Sequence, residues 1–104
     1  MENNTLEIEM DDAFYKSKAI SRLERIAKLL RHPIKRQIYT YLCKGEMTVT
    51  ELYCKVRMEQ STCSMFLNEM RKLRLVRFVR DGKNIHYRVN TETRSLIYHI
   101  INLM

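Results

Sequence analysis

Between residues 71 and 88 the chain sets Arg71, Lys72, Arg74, Arg77, Arg80, Lys83 and Arg88 against a single acid, Asp81. Cations held this close together create a potential that a phosphate chain can neutralise along its length, so the block calls for a polyanion partner. A solvated face on a basic protein carries the same composition, and charge alone leaves both readings open. The other reactive side chains are sparse. Cys43, Cys54 and Cys63 form no CxxC pair, which argues against a disulfide framework or a four-cysteine zinc site and suits reduced thiols in a cytoplasm. There is no glycine-rich phosphate loop, no HExxH, no Gly-x-Ser-x-Gly and no paired-carboxylate pattern, so no enzyme is expected and no catalytic residue is assigned.

The elements that must carry the basic block can be read from the apolar period. Of 104 residues, 45% are hydrophobic and only three are Gly or Pro, a balance that favours one helix-rich domain. Ala19, Ile20, Leu23, Ile26, Ala27 and Leu30 make one stripe of a first helix, expected from near Asp11 to near Arg31. His32-Pro33 ends it and opens a second, with His32 as its cap, carrying Ile34, Ile38, Tyr41 and Leu42 until Gly45. Thr48-Val49-Thr50-Glu51 has the form of a capping box and starts a short third helix with Val49, Leu52 and Val56 inward. After a turn at Arg57-Met58-Glu59 comes a fourth helix. Its Cys63, Phe66, Leu67, Met70 and Leu73 share one side, while Ser61, Ser64, Met65, Asn68 and Lys72 point away.

Past Leu75 the period changes from 3.6 to 2. Residues 76–80 and 85–89 read as two strands around the loop Asp81-Gly82-Lys83-Asn84. Asn90 or Thr91 then caps a last helix with Leu96, Ile97, Ile100, Ile101 and Met104 at helical spacing. The expected fold class is mainly α (α+β), in the order ααααββα: a winged helix-turn-helix, with residues 1–12 as an acidic tail and 13–104 as one domain. Two short helices joined by a tight turn, followed by a cationic hairpin, suit duplex DNA, since the polar-faced helix fits the major groove and the hairpin reaches the neighbouring backbone.

The stretch from Leu30 to Val89 resembles the ArsR/SmtB (arsenic-repressor) family of bacterial winged-helix regulators. HPIKRQIYTYL stands for its second helix, EMTVTEL for its third, QSTCSMFLNEMRKLRLV for its recognition helix, and IHYRV for the end of its hairpin. The resemblance implies a repressor that binds an inverted-repeat operator in double-stranded DNA. Gln60, Ser61, Thr62, Ser64, Met65, Asn68 and Lys72 would lie on the recognition helix, and Arg77, Arg80, Lys83, Asn84, His86 and Arg88 on the wing. It also implies a homodimer through the first and last helices, with Leu23, Ile97, Ile100, Ile101 and Met104 as contacts. The breadth of the last helix's apolar surface, which includes Tyr98 and Leu103, agrees.

The family's metal sites are not matched. Thr48-Val49-Thr50 stands where one type has Cys-x-Cys, and hydroxyls bind soft metals poorly. The other type needs an Asp two residues before His99, where this chain has Ile97. Metal and cofactor are therefore expected to be absent, and the effector is left open. Three more departures bear on DNA: Glu59 replaces a usual Ser, Arg74 a usual Gly, and Met65-Phe66 a more polar pair. That greasy pair supports the alternative of a winged helix used for protein docking. Charge divides unevenly, because residues 1–12 hold five acids and no Lys or Arg, leaving 19 basic against 7 acidic residues in the rest. No apolar run is long enough to span a bilayer, and no secretory signal opens the chain, so a cytoplasmic protein without membrane contact is expected.

Overall fold

The computed structural model describes the backbone from Glu2 to Met104, and side chains from Ala13 onward except Tyr15. Its order is α1 (Glu2–Arg31), α2 (Pro33–Lys44), β1 (Met47–Thr48), α3 (Val49–Val56), α4 (Gln60–Lys72), β2 (Val76–Asp81), β3 (Asn84–Val89) and α5 (Thr91–Leu103). The expected helices and the hairpin are all present, and the fold is a winged helix-turn-helix. Helix α1 begins at Glu2 rather than near Asp11, so residues expected as a tail continue the helix. No Gly or Pro interrupts this stretch, and carboxylates near a helix start interact well with its dipole. The acidic side chains of this segment lie outside the described residues.

One core joins the elements. Ile26, Leu29 and Leu30 of α1, Ile38, Tyr39 and Leu42 of α2, Leu52 of α3, and Cys63, Phe66, Leu67 and Met70 of α4 are buried together. Leu75, Val76, Val89 and Ile97 close it from the far side. The stripe predicted along α1 divides: its last turns are buried, whereas Ile20 and Leu23 remain 56% and 40% exposed. A helix of 30 residues runs about 45 Å at 1.5 Å per residue, farther than the rest of the chain can cover. Ile34 is exposed as well, and Tyr39, absent from the predicted stripe, is buried in its place.

The last helix corrects one expectation. Ile97 is fully buried in its own chain, so it closes the core and has no surface to offer a second molecule. Ile100 and Ile101 are half-buried against that core, while Leu96, Tyr98, Leu103 and Met104 are exposed. The apolar stripe is wide because it does two things: its centre packs inward and its flank stays open.

The helix ends follow local chemistry. His32 caps α2, its Nδ1 accepting from the Lys35 amide at 3.4 Å. The Thr48 hydroxyl oxygen accepts from the Glu51 amide at 3.2 Å, and the hydroxyl donates to the Glu51 carboxylate, also at 3.2 Å. The box therefore closes side chain to side chain. Thr48's backbone instead lies in β1, which pairs Met47 with Tyr87 and Thr48 with His86. Two residues carry no periodic signal, and this strand, which turns the hairpin into a three-stranded sheet of order β1-β3-β2, was not legible in the sequence.

The hairpin loop is tighter than predicted. Asp81 pairs with Asn84, leaving only Gly82 and Lys83 between the strands. Gly82 has φ +60 and Lys83 is not in the positive-φ region, the pattern of a type II′ turn with Gly at its first central position. At the other end of the hairpin, Arg74 adopts φ +61, where a side chain is disfavoured. The Asn90 Nδ2 and the Thr93 hydroxyl donate to its carbonyl at 3.0 and 3.1 Å, and the Asn90 amide donates to Leu75 at 2.9 Å. These bonds tie the start of α5 to the turn after α4 and hold the wing's base in place.

Candidate nucleic-acid interface

The polar face of α4 is a consequence of its buried one. Cys63, Phe66, Leu67 and Met70 face the core, and a period of 3.6 then sends Gln60, Ser61, Ser64, Met65, Asn68 and Lys72 outward, all exposed. Thr62 is half-buried at the edge. Phe66 is buried, 5.2 Å from the His32 ring and under the Lys35 ammonium at 4.8 Å, so the greasy pair expected at Met65-Phe66 is not a surface pair. Met65 alone is open, at 54% exposure. Glu69 is held by Lys35 at 2.7 Å, the only ion pair among the described residues, which removes one negative charge from beside this face.

The hairpin turn stands over the first half of α4. Thr48, Val49, Thr50, Gln60, Ser64, Lys83, Asn84, Ile85 and Tyr87 line one groove of about 310 Å³. It unites the predicted Gln60, Ser64, Lys83 and Asn84. It also takes in Thr48, Thr50 and Tyr87, which sequence reading did not group with them because they belong to a helix start and a strand whose placement beside α4 is tertiary. Glu59 precedes α4 as its cap residue but makes no capping hydrogen bond.

The remaining cations do not form one cluster. In a strand, alternate side chains face opposite ways. Arg77 pairs directly with Arg88 and Val79 with His86, so Arg77, His86, Arg88 and the paired Asn84 share one face, while Arg80, opposite Ile85, lies on the other. Two arginines directly opposite repel, and no described acid forms an ion pair with either. They line a concavity of about 560 Å³ together with Arg71, Arg74, Phe78 and Glu92. Arg71 covers the Phe78 ring at 4.7 Å and donates to the Asn68 Oδ1 at 3.0 Å, which links the exposed face of α4 to β2. Lys72 turns elsewhere, into a groove between α4 and α1. His86 is half-buried on the central strand.

The thiols are apart from this surface in character. Burial pushes the Cys63 thiol up, and pushes Cys43 up against the opposing pull of Arg94 and Tyr39. The buried Tyr39 hydroxyl lies beside Cys43 and is pushed well above its ordinary value, chiefly by burial. All three cysteines are free, with Cys54 exposed. Among the described residues there is no group of three or more His, Cys, Asp or Glu placed to hold a metal, and no helix long and apolar enough to cross a membrane.

A polar-faced helix fixed beneath a cationic hairpin is the arrangement of DNA-binding winged-helix transcription regulators. Within this fold the helix-turn-helix itself has a recognised relative: residues 32–77 match the model of the bacterial regulatory protein, arsR family. Solved structures share the fold. The homodimeric winged helix-turn-helix DNA-binding domain of Mb0332 from Mycobacterium bovis is 24% identical, with 85% of this chain and 82% of that one covered at a TM-score of 0.74. NolR from Sinorhizobium fredii is 26% identical, with 84% and 87% covered and a TM-score of 0.73. The transcriptional repressor BigR from Xylella fastidiosa is 24% identical, with 91% and 95% covered and a TM-score of 0.67. Among curated proteins, no sequence matches this chain.

Proposed function

We propose that the protein is a cytoplasmic repressor that binds an inverted-repeat operator as a homodimer. The observation that carries this reading is the groove in which the exposed Gln60 and Ser64 of α4 meet Lys83 and Asn84 of the wing turn. Gln60, Ser61, Ser64, Met65 and Asn68 face base edges in the major groove, with Thr62 at the margin. Lys83, Arg80, Arg77, Arg88, Asn84 and His86 serve the backbone on either side. The partner in the dimer is a second copy, since Ile20 and Leu23 of α1 and Leu96, Tyr98, Leu103 and Met104 of α5 leave apolar area uncovered. Mb0332, a homodimer, and BigR, a repressor, support the assembly and the sign of regulation by likeness of fold. This reading calls for no metal or cofactor.

Selection of bound sequences from random duplex DNA tests it, followed by binding of two variants to the selected site and to random DNA. Lys83→Ala weakens both equally and lowers the slope of log K against log salt by about 0.9, as loss of one phosphate contact requires. Ser64→Ala costs about 1–3 kcal/mol on the selected site and little on random DNA, if it reads a base. Failure to enrich any sequence, with binding insensitive to salt, overturns the reading in favour of protein docking.

A further inference from the structure

Three cations of α1 meet Lys72 at the end of α4 and Arg74 just beyond it in a groove apart from the one between α4 and the wing turn. Lys18, Ser21, Arg22 and Arg25 line one wall, and Lys72, Leu73 and Arg74 the other, enclosing about 430 Å³. No acid is among the lining residues. Spacing of four and three residues puts Lys18, Arg22 and Arg25 on one side of α1, where like charges repel. Arg22 has a structural task, its Nη2 donating to the Leu73 carbonyl at 3.1 Å at the end of α4. Lys18 rests over the exposed Phe14 ring at 4.9 Å, an uncharged neighbour, and Arg25 forms no ion pair among the described residues. A cluster that helix stability alone would disfavour is thus held open to solvent.

Two further features give it a direction. Arg74 lines both this groove and the concavity of Arg71, Arg77, Arg88 and Glu92, so its guanidinium joins the two. That same residue holds a backbone conformation glycine would adopt more easily, with φ +61, which puts a guanidinium at the junction at the expense of local strain. The exposed Ile20 and Leu23 lie about 200° and 100° round the helix from Arg22, so the apolar face of α1 points away from the groove. From Lys18 to Arg25 the wall is about 10 Å long, enough to reach more than one phosphate of a nucleic-acid or polyphosphate chain.

We propose that the groove between α1 and the end of α4 is a phosphate-binding site, extending the cationic surface past the recognition helix and wing. Its ligand is either the backbone of flanking DNA or a free polyphosphate. The first source rests on the DNA-binding reading above, and the second does not. Lys18→Ala and Arg25→Ala, both at exposed positions, test it in the whole chain, with Lys44→Ala, exposed at the end of α2 and not among the groove's lining residues, as a control. If flanking DNA fills the groove, each of the two lowers the salt slope by about 0.9 on selected and random DNA alike. Hydroxyl-radical protection then shortens at its outer edges and Lys44→Ala changes neither. If a free anion fills it, the slope stays constant while inorganic tripolyphosphate binds the wild type, followed by amide shifts in α1 and α4, and not the double variant. The proposal is overturned if both readouts match wild type in the double variant, or if Lys44→Ala has the same effect as the other two. A protein that binds no DNA still reports on the groove through tripolyphosphate, so the two readings fail separately.

Discussion

Helix α4 and the hairpin β2–β3 both face the proposed partner, yet the chain holds them in opposite ways. Four side chains of α4 are buried in the common core, which leaves its outer face as rigid as the core itself. The hairpin is anchored only at its base, where Val76 and Val89 are buried, and the strands beyond are exposed or half-buried. Their outward chemistry differs to match. The α4 face offers uncharged hydrogen-bonding groups, whose bonds weaken over a few tenths of an ångström and need a fixed mount. The hairpin offers cations, whose attraction falls off slowly with distance and tolerates movement. Reading by the helix and holding by the wing are therefore consistent with how each is built.

The largest effect that tests this contrast is on stability. Leu67→Ala, at a fully buried position under the reading face, is expected to lower unfolding free energy by about 2–5 kcal/mol in urea melts. Val79→Ala, on the wing and 40% exposed, should stay within about 0.5 kcal/mol. Equal losses would mean the wing is as firmly packed as the helix, and the comparison fails. A smaller change sits where the two elements join. Arg74→Gly relieves the positive φ and is expected to raise stability by about 1 kcal/mol, while weakening DNA binding through the lost charge. Higher melting temperature with unchanged affinity would show that the guanidinium has no role at the surface.

The smallest effect is in pH. Burial raises the Cys63 thiol under α4 above its ordinary value of 9.0, so the folded state binds that proton more tightly than the unfolded one. Its contribution is complete below the unfolded value and is lost as pH rises through the folded one. Stability should be flat to about pH 8 with respect to this group, fall above pH 9, and fall less in Cys63→Ala. Iodoacetamide at pH 8 should label exposed Cys54 first and Cys63 only on unfolding. Rapid labelling of Cys63 in the folded protein would show that the helix is not seated as described.

Much of this was determined by local sequence. Helix starts at His32, Thr48 and Asn90 depend on side chains within three residues, and the inward face of α4 depends on a period of 3.6, so each can be read from a short window. The change to a period of 2 after Leu75 located the wing in the same way. What the tertiary structure decided is what depends on distant partners. The Met47–Thr48 strand exists because β3 is beside it, and Ile97 is in the core because α5 folds back over it, although its spacing fits an outer stripe equally well. The wing's cations look like one block in sequence, but strand alternation and the Arg77–Arg88 register divide them between two faces. Lys18, Arg22 and Arg25 become neighbours of Lys72 and Arg74 only when α1 packs beside the end of α4. Periodicity encodes which way a side chain points from its own element, and the packing of elements decides what it meets there.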